Sequence, residues 1–333
     1  MYFQTGQKNC YDEQGDIIPC GATGQDAEYR KGIEIDLVNR FHDNQKGVVK
    51  DNLTGLYWTK DAALTTFPVS WKDALKFVQD MNENSFLGFN DWRMPNRKEL
   101  RSIIYLEAKN PALPHGHPFK NIFNGWYWTS TTAAINHEYA WYIHLGGARM
   151  FYGRKDQQCM LWLVRGESKI LPVTGQTKCY DEKGHEIKCM GTGQDGELRM
   201  GLSWPKDRFN HMDLVVEDRL TGLIWTKDAD LSKGLVSWMD ALHLIKGLNA
   251  NAYGGFKDWR LPNINELESL VDGSSHSPAL PKYSFFENVR EFYWSSTTSY
   301  YDPPWAWALY MKKGATGVGL KRLKNFFVWA VRG

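Results

Sequence analysis

The chain has 333 residues, which is long for one hydrophobic core and comfortable for two of ordinary size. Its net charge of +2 excludes a global field that would draw it to nucleic acid or to an anionic membrane. No run of about 18 apolar residues is present, so no membrane-spanning segment is predicted, and the 14% aromatic content predicts compact aromatic cores or surfaces that face carbohydrate.

The first feature along the chain is a pair of cysteines, Cys10 and Cys20, whose spacing and local sequence recur at Cys179 and Cys189. An equal, repeated spacing predicts a local disulfide in each repeat, and hence an oxidising, extracytoplasmic compartment. The alternatives are free or metal-binding thiols, but two thiols this far apart make a poor zinc site. Cys159 is left over in an apolar run, and we expect it to be a buried small hydrophobe.

Two helices are predicted in each repeat. The first begins at Ser70, where Asp73 completes a capping pattern, and the second follows Asn96, where Glu99 does the same. Apolar residues at helical spacing follow each cap and predict the buried face of each helix. The same capping residues recur in the second repeat at Ser237, Asp240, Asn263 and Glu266.

After the second helix the pattern changes to short segments rich in aromatic and β-branched residues, which predict strands. Gly146-Gly147 predicts a hairpin turn, and Lys313-Gly314 takes the same place in the second repeat. Two helices followed by antiparallel strands predict an α+β fold for each repeat. The predicted strands of the first repeat are 127–131, 140–145, 149–152 and 161–165.

The chain as a whole is a tandem duplication. The motif Asp-Trp-Arg-x-Pro-Asn at 91–96 recurs at 258–263, and Tyr-Trp-x-Ser-Thr-Thr at 127–132 recurs at 293–298. A period this long indicates duplication of a whole domain and not a solenoid of short repeats. The predicted domains are therefore 1–168 and 169–333.

These motifs together resemble a bacterial family of exported domains, best known as a domain of unknown function and as the C-terminal domain of the Legionella collagen-like adhesin. The resemblance covers most of both repeats and includes Leu-Thr-Gly-Leu-x-Trp, Gly-Phe-x-Asp-Trp-Arg-x-Pro-Asn and the closing Val-Arg-Gly. It implies two tandem C-type-lectin-like domains and adhesin-like binding of sulfated polysaccharides or host glycans. The chain departs from the family near the last strand, where members often have Cys in place of Leu163 and Ala330.

Motifs of catalysis and of cofactor binding are missing from the sequence, so we expect neither an enzyme nor a cofactor. His115 and His117 have metal-like spacing, but the second repeat lacks both, and we interpret them as part of a loop turn and predict no metal site. The calcium-mediated sugar binding of C-type lectins is not expected either. Met94 or Leu261 precedes the Pro-Asn pair, and neither side chain can bind calcium.

Tryptophan and arginine positions shared by the repeats are predicted to be structural, because Trp most often packs in a core. An Asp–Arg pair such as Asp91 and Arg93 is expected to bracket a core Trp, since buried charge must be paired. The predicted core residues are Trp58, Trp92, Arg93, Trp128, Trp225, Trp259, Arg260 and Trp294.

The segment before the final strand differs most between the repeats and is the predicted binding face. Clustered cations interleaved with aromatics suit sulfated or carboxylated glycans, because charge attracts anions and rings stack on sugar faces. The alternative is an ordinary solvated strand face, whose lysines prevent edge-to-edge aggregation. The predicted ligand-binding residues are Tyr300, Tyr301, Trp305, Lys312, Lys313, Lys321, Arg322 and Lys324 in the second repeat and Arg149, Arg154 and Lys155 in the first.

These features predict an exported, non-catalytic module that recognises anionic polysaccharide or glycan. The alternatives are a structural or protein-recognition module and a hydrolase with an unrecognised site. Nucleic acid is not an expected partner, because both halves are near neutral. Residues 1–4 lack the features of a signal peptide, so we expect an export signal to lie outside this sequence and the protein to be periplasmic, secreted or surface-attached.

Overall fold

A computed structural model describes residues 2–333 and divides them into two compact units. Unit one combines residues 2–34 with Trp204–Gly333, and unit two is Ile35–Ser203. The predicted domains 1–168 and 169–333 are the sequence repeats, and their boundaries differ from those of the compact units.

The difference arises from the cysteine-bearing segment that opens each repeat. We call residues 2–34 leader one, 169–203 leader two, 35–168 core one and 204–333 core two. Leader one packs with core two in unit one, and leader two packs with core one in unit two. Each core is therefore completed by the leader of the other repeat.

Leader one and core one supply the first nine strands and the first three helices. Core one begins with three short strands, continues with two helices, and ends with a three-stranded sheet and one more short strand. The elements are β1 (Cys10–Tyr11), β2 (Ile17–Ile18), α1 (Asp26–Tyr29), β3 (Phe41–Asp43), β4 (Val48–Asp51), β5 (Tyr57–Thr59), α2 (Trp71–Glu83), a 3₁₀ turn (Phe86–Gly88), α3 (Arg97–Ser102), β6 (Trp126–Thr132), β7 (Tyr139–His144), β8 (Arg149–Arg154) and β9 (Val164–Arg165).

Leader two and core two repeat the same order of elements. These are β10 (Cys179–Tyr180), β11 (Glu186–Ile187), α4 (Asp195–Leu198), β12 (Phe209–Met212), β13 (Val215–Asp218), β14 (Leu223–Thr226), α5 (Trp238–Ala250), a 3₁₀ turn (Tyr253–Gly255), α6 (Ile264–Ser269), β15 (Tyr293–Thr298), β16 (Trp305–Tyr310), β17 (Ala315–Leu320) and β18 (Val331–Arg332).

Each core contains two antiparallel sheets. The four-stranded sheet has the order β3-β4-β5-β9 in core one and β12-β13-β14-β18 in core two. The three-stranded sheets, β6-β7-β8 and β15-β16-β17, are meanders of consecutive strands. Small sheets with a few helices confirm the predicted α+β class for both repeats.

The two leaders are small hairpins closed by disulfides. Cys10 is bonded to Cys20 and Cys179 to Cys189, with Cα atoms 5.2 and 5.1 Å apart. Both predicted disulfides are confirmed, and they indicate an oxidising, extracytoplasmic environment. Cys159 is unpaired and buried, as predicted.

Helix α2 begins where the sequence predicts. The Ser70 side chain accepts a hydrogen bond from the Asp73 amide, which satisfies one of the unpaired donors of the first turn. The Trp71 indole donates to the Thr129 carbonyl at 2.8 Å and thereby joins the helix to β6. Helix α5 repeats this arrangement from Ser237.

None of the helices within residues 2–333 has the length and the apolar composition of a membrane-spanning segment.

Helix α3 begins with a complete capping box. The Asn96 side chain accepts from the Glu99 amide at 3.0 Å, and the Asn96 amide donates to the Glu99 carboxylate at 2.9 Å. The same carboxylate pairs with both terminal nitrogens of Arg93, at 2.6 and 2.7 Å. The predicted Asp91–Arg93 pair is therefore wrong, and Asp91 instead pairs with Arg165 at 2.7 Å.

The predicted strands of the three-stranded sheet are confirmed, and the final strand is shorter than predicted. Residues 145–148 form the turn between β7 and β8. The predicted strand 161–165 is reduced to β9. The residues just before it form isolated bridges to two other parts of the core. Cys159 bridges to Val69 ahead of α2, and Met160 bridges to Tyr127 in β6.

The predicted core residues are buried in both units. Trp58 and Trp225 are fully enclosed, and each packs against a second indole, Trp162 or Trp329, at ring-centroid distances of 5.4 and 5.3 Å. These repeated tryptophans therefore belong to the scaffold of each unit. The other predicted core residues that are buried are Trp92, Arg93, Trp128, Trp259, Arg260 and Trp294.

Candidate functional site

Two predicted ligand-binding lysines are buried and contact the leaders. Lys321 has 0% exposure, and its ammonium donates to the carbonyl oxygens of Asp12 at 3.0 Å and Tyr11 at 3.5 Å, lying 4.3 Å from the Trp238 ring centroid. Lys155 makes the same contacts with leader two. Burial lowers the pKa of each lysine to about 7. The prediction that they meet a ligand at the surface is corrected, because leader carbonyls and an indole enclose both.

The remaining predicted residues of the second repeat separate into two groups. Lys312 and Lys313 lie in the turn between β16 and β17, whereas Arg322 and Lys324 follow the far end of β17. Six strand residues span about 20 Å, so these groups do not form one site. We refer to them as the turn end and the far end of the sheet. Tyr300, Tyr301 and Trp305 belong to the far end, in the loop before β16 and at its first residue.

The far end carries cations beside an acidic leader turn. Arg322 and Lys324 are exposed and form no ion pair with any other residue in 2–333. The β1–β2 turn packs here, since a Cβ added to Gly15 would lie 2.7 Å from Pro304. This turn brings the acidic residues Asp12, Glu13 and Asp16. The far end is therefore of mixed charge, because the leader turn adds acidic residues to the predicted cluster of cations and aromatics.

The turn end opens onto a groove with an aromatic floor, which we call the core-two groove. It has a volume of about 690 Å³. Phe292 and Phe327 lie nearly parallel, at an angle of 25° and a centroid distance of 6.4 Å. The lining residues are Leu235, Ser277, Pro278, Val289, Arg290, Glu291, Phe292, Lys312 and Phe327.

Charged side chains flank this floor in two ion pairs. Arg290 lies 5.5 Å from the Phe327 ring centroid and binds the buried Asp230 carboxylate at 2.7 Å. Lys312 pairs with Glu291 at 3.0 Å, and both side chains are about half exposed. The groove therefore presents a fixed guanidinium and a solvent-accessible ammonium and carboxylate over two aromatic faces.

The corresponding positions in core one have a different chemistry. The backbone amide of Phe123 donates to the Tyr127 hydroxyl, just as the amide of Arg290 donates to the Tyr293 hydroxyl. Phe123 is therefore the core-one counterpart of Arg290. Gly146 takes the place of Lys312. The cations of the groove are therefore specific to core two.

The predicted cations of core one are also far apart along the sheet. Arg149 opens β8 and is exposed, with no ion pair to any residue that the structure describes, 2–333. Arg154 closes the strand and pairs with Asp156 at 2.7 Å. Two of the three predicted cations in this core are thus paired, as Arg154 is, or enclosed, as Lys155 is.

Lys312 is the one groove residue that was predicted; Arg290, Glu291, Phe292 and Phe327, which supply the other charges and the aromatic floor, were not. Residues 290–292 lie directly before the Tyr-Trp-Ser-Ser motif. The prediction was restricted to the segment after this motif, because the two repeats differ most there. The signal that would find them is the replacement of Phe-Asn-Gly-Trp by Arg-Glu-Phe at the same place in the second repeat.

The groove can contact both apolar and charged groups of a ligand. Aromatic faces take the C–H face of a pyranose, while guanidinium and ammonium groups donate to carboxylate, sulfate or hydroxyl oxygens. The carboxylate of Glu291 adds an acceptor for a hydroxyl group.

Comparison with known families gives two matches in this chain. The model of the Lcl C-terminal domain matches residues 47–165 and again residues 214–332, which together are more than half of the sequence. Comparison with curated proteins gives no match. Both matched segments lie within the cores, and both leaders lie outside them. The chain therefore belongs to the Lcl C-terminal domain family and carries two copies of that domain.

Proposed function

We propose that this protein is an exported, non-catalytic binding module with a C-type-lectin-like fold that recognises anionic polysaccharide or glycan in an adhesin-like manner. The observation that carries the proposal is the core-two groove, in which two phenylalanine faces lie beside Arg290 and Lys312. The family match supports an adhesin-associated role. The two disulfides support a location outside the cytoplasm.

The ion pairs of the groove favour an anionic ligand. The Lys312–Glu291 pair is about half exposed, and such pairs stabilise a fold by only about 0–1 kcal/mol. A ligand sulfate or carboxylate can therefore displace Glu291 from Lys312 at small cost. Arg290 is held by a buried carboxylate, so its remaining donors keep their orientation.

The test compares single charge reversals in binding to heparin, used as a sulfated polysaccharide. We expect Lys312→Glu to weaken binding about tenfold or more, because it removes a charge-assisted hydrogen bond and adds repulsion beside Glu291. Lys257→Glu is the matched control, since Lys257 is exposed and lies outside the groove. Salt-gradient elution measures both. Elution of the two variants at the same salt concentration would remove the groove as the site.

Lys324→Glu completes the experiment by testing the far end, which the sequence favours. We expect a smaller effect than that of Lys312→Glu, because the leader turn places Asp12, Glu13 and Asp16 near this end. A larger effect would transfer the site to the far end.

Protein recognition is a second candidate function, and a different observation favours it. Tyr301 and Leu323 are about half exposed at the far end, beside Arg322 and Lys324. Such a mixed patch fits a protein partner, whose binding changes less with ionic strength than that of a polyanion. Binding that persists in Lys312→Glu and is insensitive to salt would favour this function.

A further inference from the structure

The two leaders dock through the same contacts on the two cores. In unit one the Gln7 side-chain amide donates to the Thr298 carbonyl at 2.8 Å and accepts from the Thr298 amide at 2.9 Å. In unit two the Gln176 amide donates to the Thr132 carbonyl at 2.9 Å. A glutamine of the leader thus extends the edge of the same strand, β15 or β6, in each core.

A buried carboxylate forms the second shared contact. Asp26 of leader one accepts from the Thr297 hydroxyl of core two and from the Thr5 hydroxyl of its own leader, both at 2.7 Å. Asp195 of leader two accepts from Thr131 and Thr174 at 2.6 and 2.7 Å. The hydroxyls satisfy a charge that would otherwise be costly to bury.

Amide groups from the capping residues form the third contact. Asn263 donates to the Lys31 carbonyl of leader one at 3.1 Å, and Asn96 donates to the Met200 carbonyl of leader two at the same distance. Lys321 and Lys155 complete the set at the leader hairpins. Docking therefore depends on side-chain hydrogen bonds. Each core makes the same set of these bonds with the leader that docks on it.

The covalent connection differs between the units, although the docking contacts do not. Leader two continues directly from the core on which it docks. Leader one docks on a core that follows all of Ile35–Ser203 in the chain, so unit one is discontinuous. No short connection holds leader one on core two, because the whole of Ile35–Ser203 lies between them in the chain. Leader one of another molecule has the same sequence and can make the same contacts with core two.

We propose that the leader-binding surface of core two is a chain-to-chain assembly site, which accepts leader one of a second copy of this protein in the register seen within the chain. The same hydrogen bonds form in either case. The balance between the closed chain and the exchanged dimer is therefore set by the effective concentration of the chain's own leader against the concentration of other chains. Exchange would also place two core-two grooves in one assembly.

The experiment uses the full chain with a specific protease site inserted after Glu34. The protein is unfolded and refolded at increasing concentration, and its mass in solution is measured before and after cleavage. We expect a dimer whose share rises with the refolding concentration. Because only the connection at Glu34 links the two protomers of an exchanged dimer, we expect cleavage to convert it to monomers that retain the leader.

Refolding the full chain together with a mass-labelled full chain provides a second measurement. We expect mixed dimers, and after cleavage we expect monomers that carry the leader of the other chain, because Gln7 and Thr298 make the same paired hydrogen bonds in either case. Monomer at every refolding concentration, a dimer that survives cleavage, or cleaved monomers that carry only their own leader would overturn the proposal.

Discussion

Lys321 and Lys155 are cations that the folded chain withdraws from solvent. Each contacts two leader carbonyls and an indole, and neither has a carboxylate partner among its hydrogen bonds. Burial of the ammonium lowers the pKa of both to about 7, and the charge of Asp12 or Asp181 opposes this only in part. The charge of both lysines in the folded chain therefore changes near neutral pH, within the leader docking sites.

This depressed pKa predicts that stability rises between pH 7 and 9. An unfolded lysine keeps its proton up to about pH 10.5, whereas the folded lysines lose theirs near 7, so the unfolded state binds more protons in this interval. The gain is at most about 1.4 kcal/mol per pH unit for each lysine. Urea denaturation at pH 7, 8 and 9 measures it.

Lys321→Met and Lys155→Met test the origin of this gain. Methionine keeps the apolar stem but cannot titrate, so each variant should lose its share of the slope and the double variant nearly all of it. Asp26 and Asp195 do not interfere, because burial raises the pKa of each only to about 6. The raised pKa of the buried Cys159 thiol acts in the opposite direction close to pH 9, so the slope between pH 7 and 8 is the decisive one. A double variant with the wild-type slope would show that other groups cause the pH dependence.

The partners of single charged residues were harder to predict than their burial. Sequence neighbourhood favours Asp91 as the partner of Arg93, because the two flank one tryptophan. The observed partner is Glu99, which the capping box of α3 brings to the arginine at 2.6 Å. An ion pair set by a helix cap depends on tertiary placement, and local sequence order does not record it.

The two helices of each core differ in what their caps do. Ser70 caps α2 at a partly exposed site, whereas Asn96 caps α3 and also donates to leader two. We expect Ser70→Ala to cost about 1 kcal/mol in the free energy of unfolding, which is typical of a lost cap. We expect Asn96→Ala to cost about 2 kcal/mol, because it also loses a hydrogen bond to the leader.

Asn96→Ser separates the two contributions of this side chain. Serine is as good a cap as asparagine but lacks the amide that donates to the Met200 carbonyl, and it buries no charge. It should therefore retain the helix cap and lose the leader contact, which urea denaturation and proteolysis of leader two report together. Equal stability of Asn96→Ser and wild type would mean that the leader contact contributes little.

The elements with strong local signals were predicted, and those without were missed. Helices α2 and α3 have caps and a helical spacing of apolar residues, and β6 to β8 have aromatic-rich segments around a glycine turn. The early strands β3 to β5 have only three or four residues each. Such lengths are too short for an alternating pattern to be distinguished from loop sequence.

At the scale of the molecule, the pairing of leaders with cores was not predictable from the sequence. Both leaders have the same docking residues and both cores the same acceptors, so local chemistry allows either pairing. Only the compact units show which one the chain adopts. The burial of Lys321 could not be predicted for the same reason. The two carbonyls that enclose it lie 309 and 310 residues away in the sequence.

The disulfides should stabilise the two units separately. Each closes a loop of ten residues, for which chain entropy gives about 2–3 kcal/mol. We expect Cys10→Ala/Cys20→Ala to lower the stability of unit one by about this amount and to make leader one sensitive to proteolysis. Cys179→Ala/Cys189→Ala should do the same to unit two and leader two.

Limited proteolysis with mass spectrometry distinguishes these outcomes, because each leader gives its own fragments. The control is Cys159→Ala, which should leave both leaders protected. Cys159 is enclosed in core one, and burial raises the pKa of its thiol to about 12, so the native protein should not react there with thiol reagents at neutral pH. If loss of the Cys10–Cys20 bond exposed leader two as readily as leader one, the leaders would be coupled and the assignment of each to its own unit would be wrong.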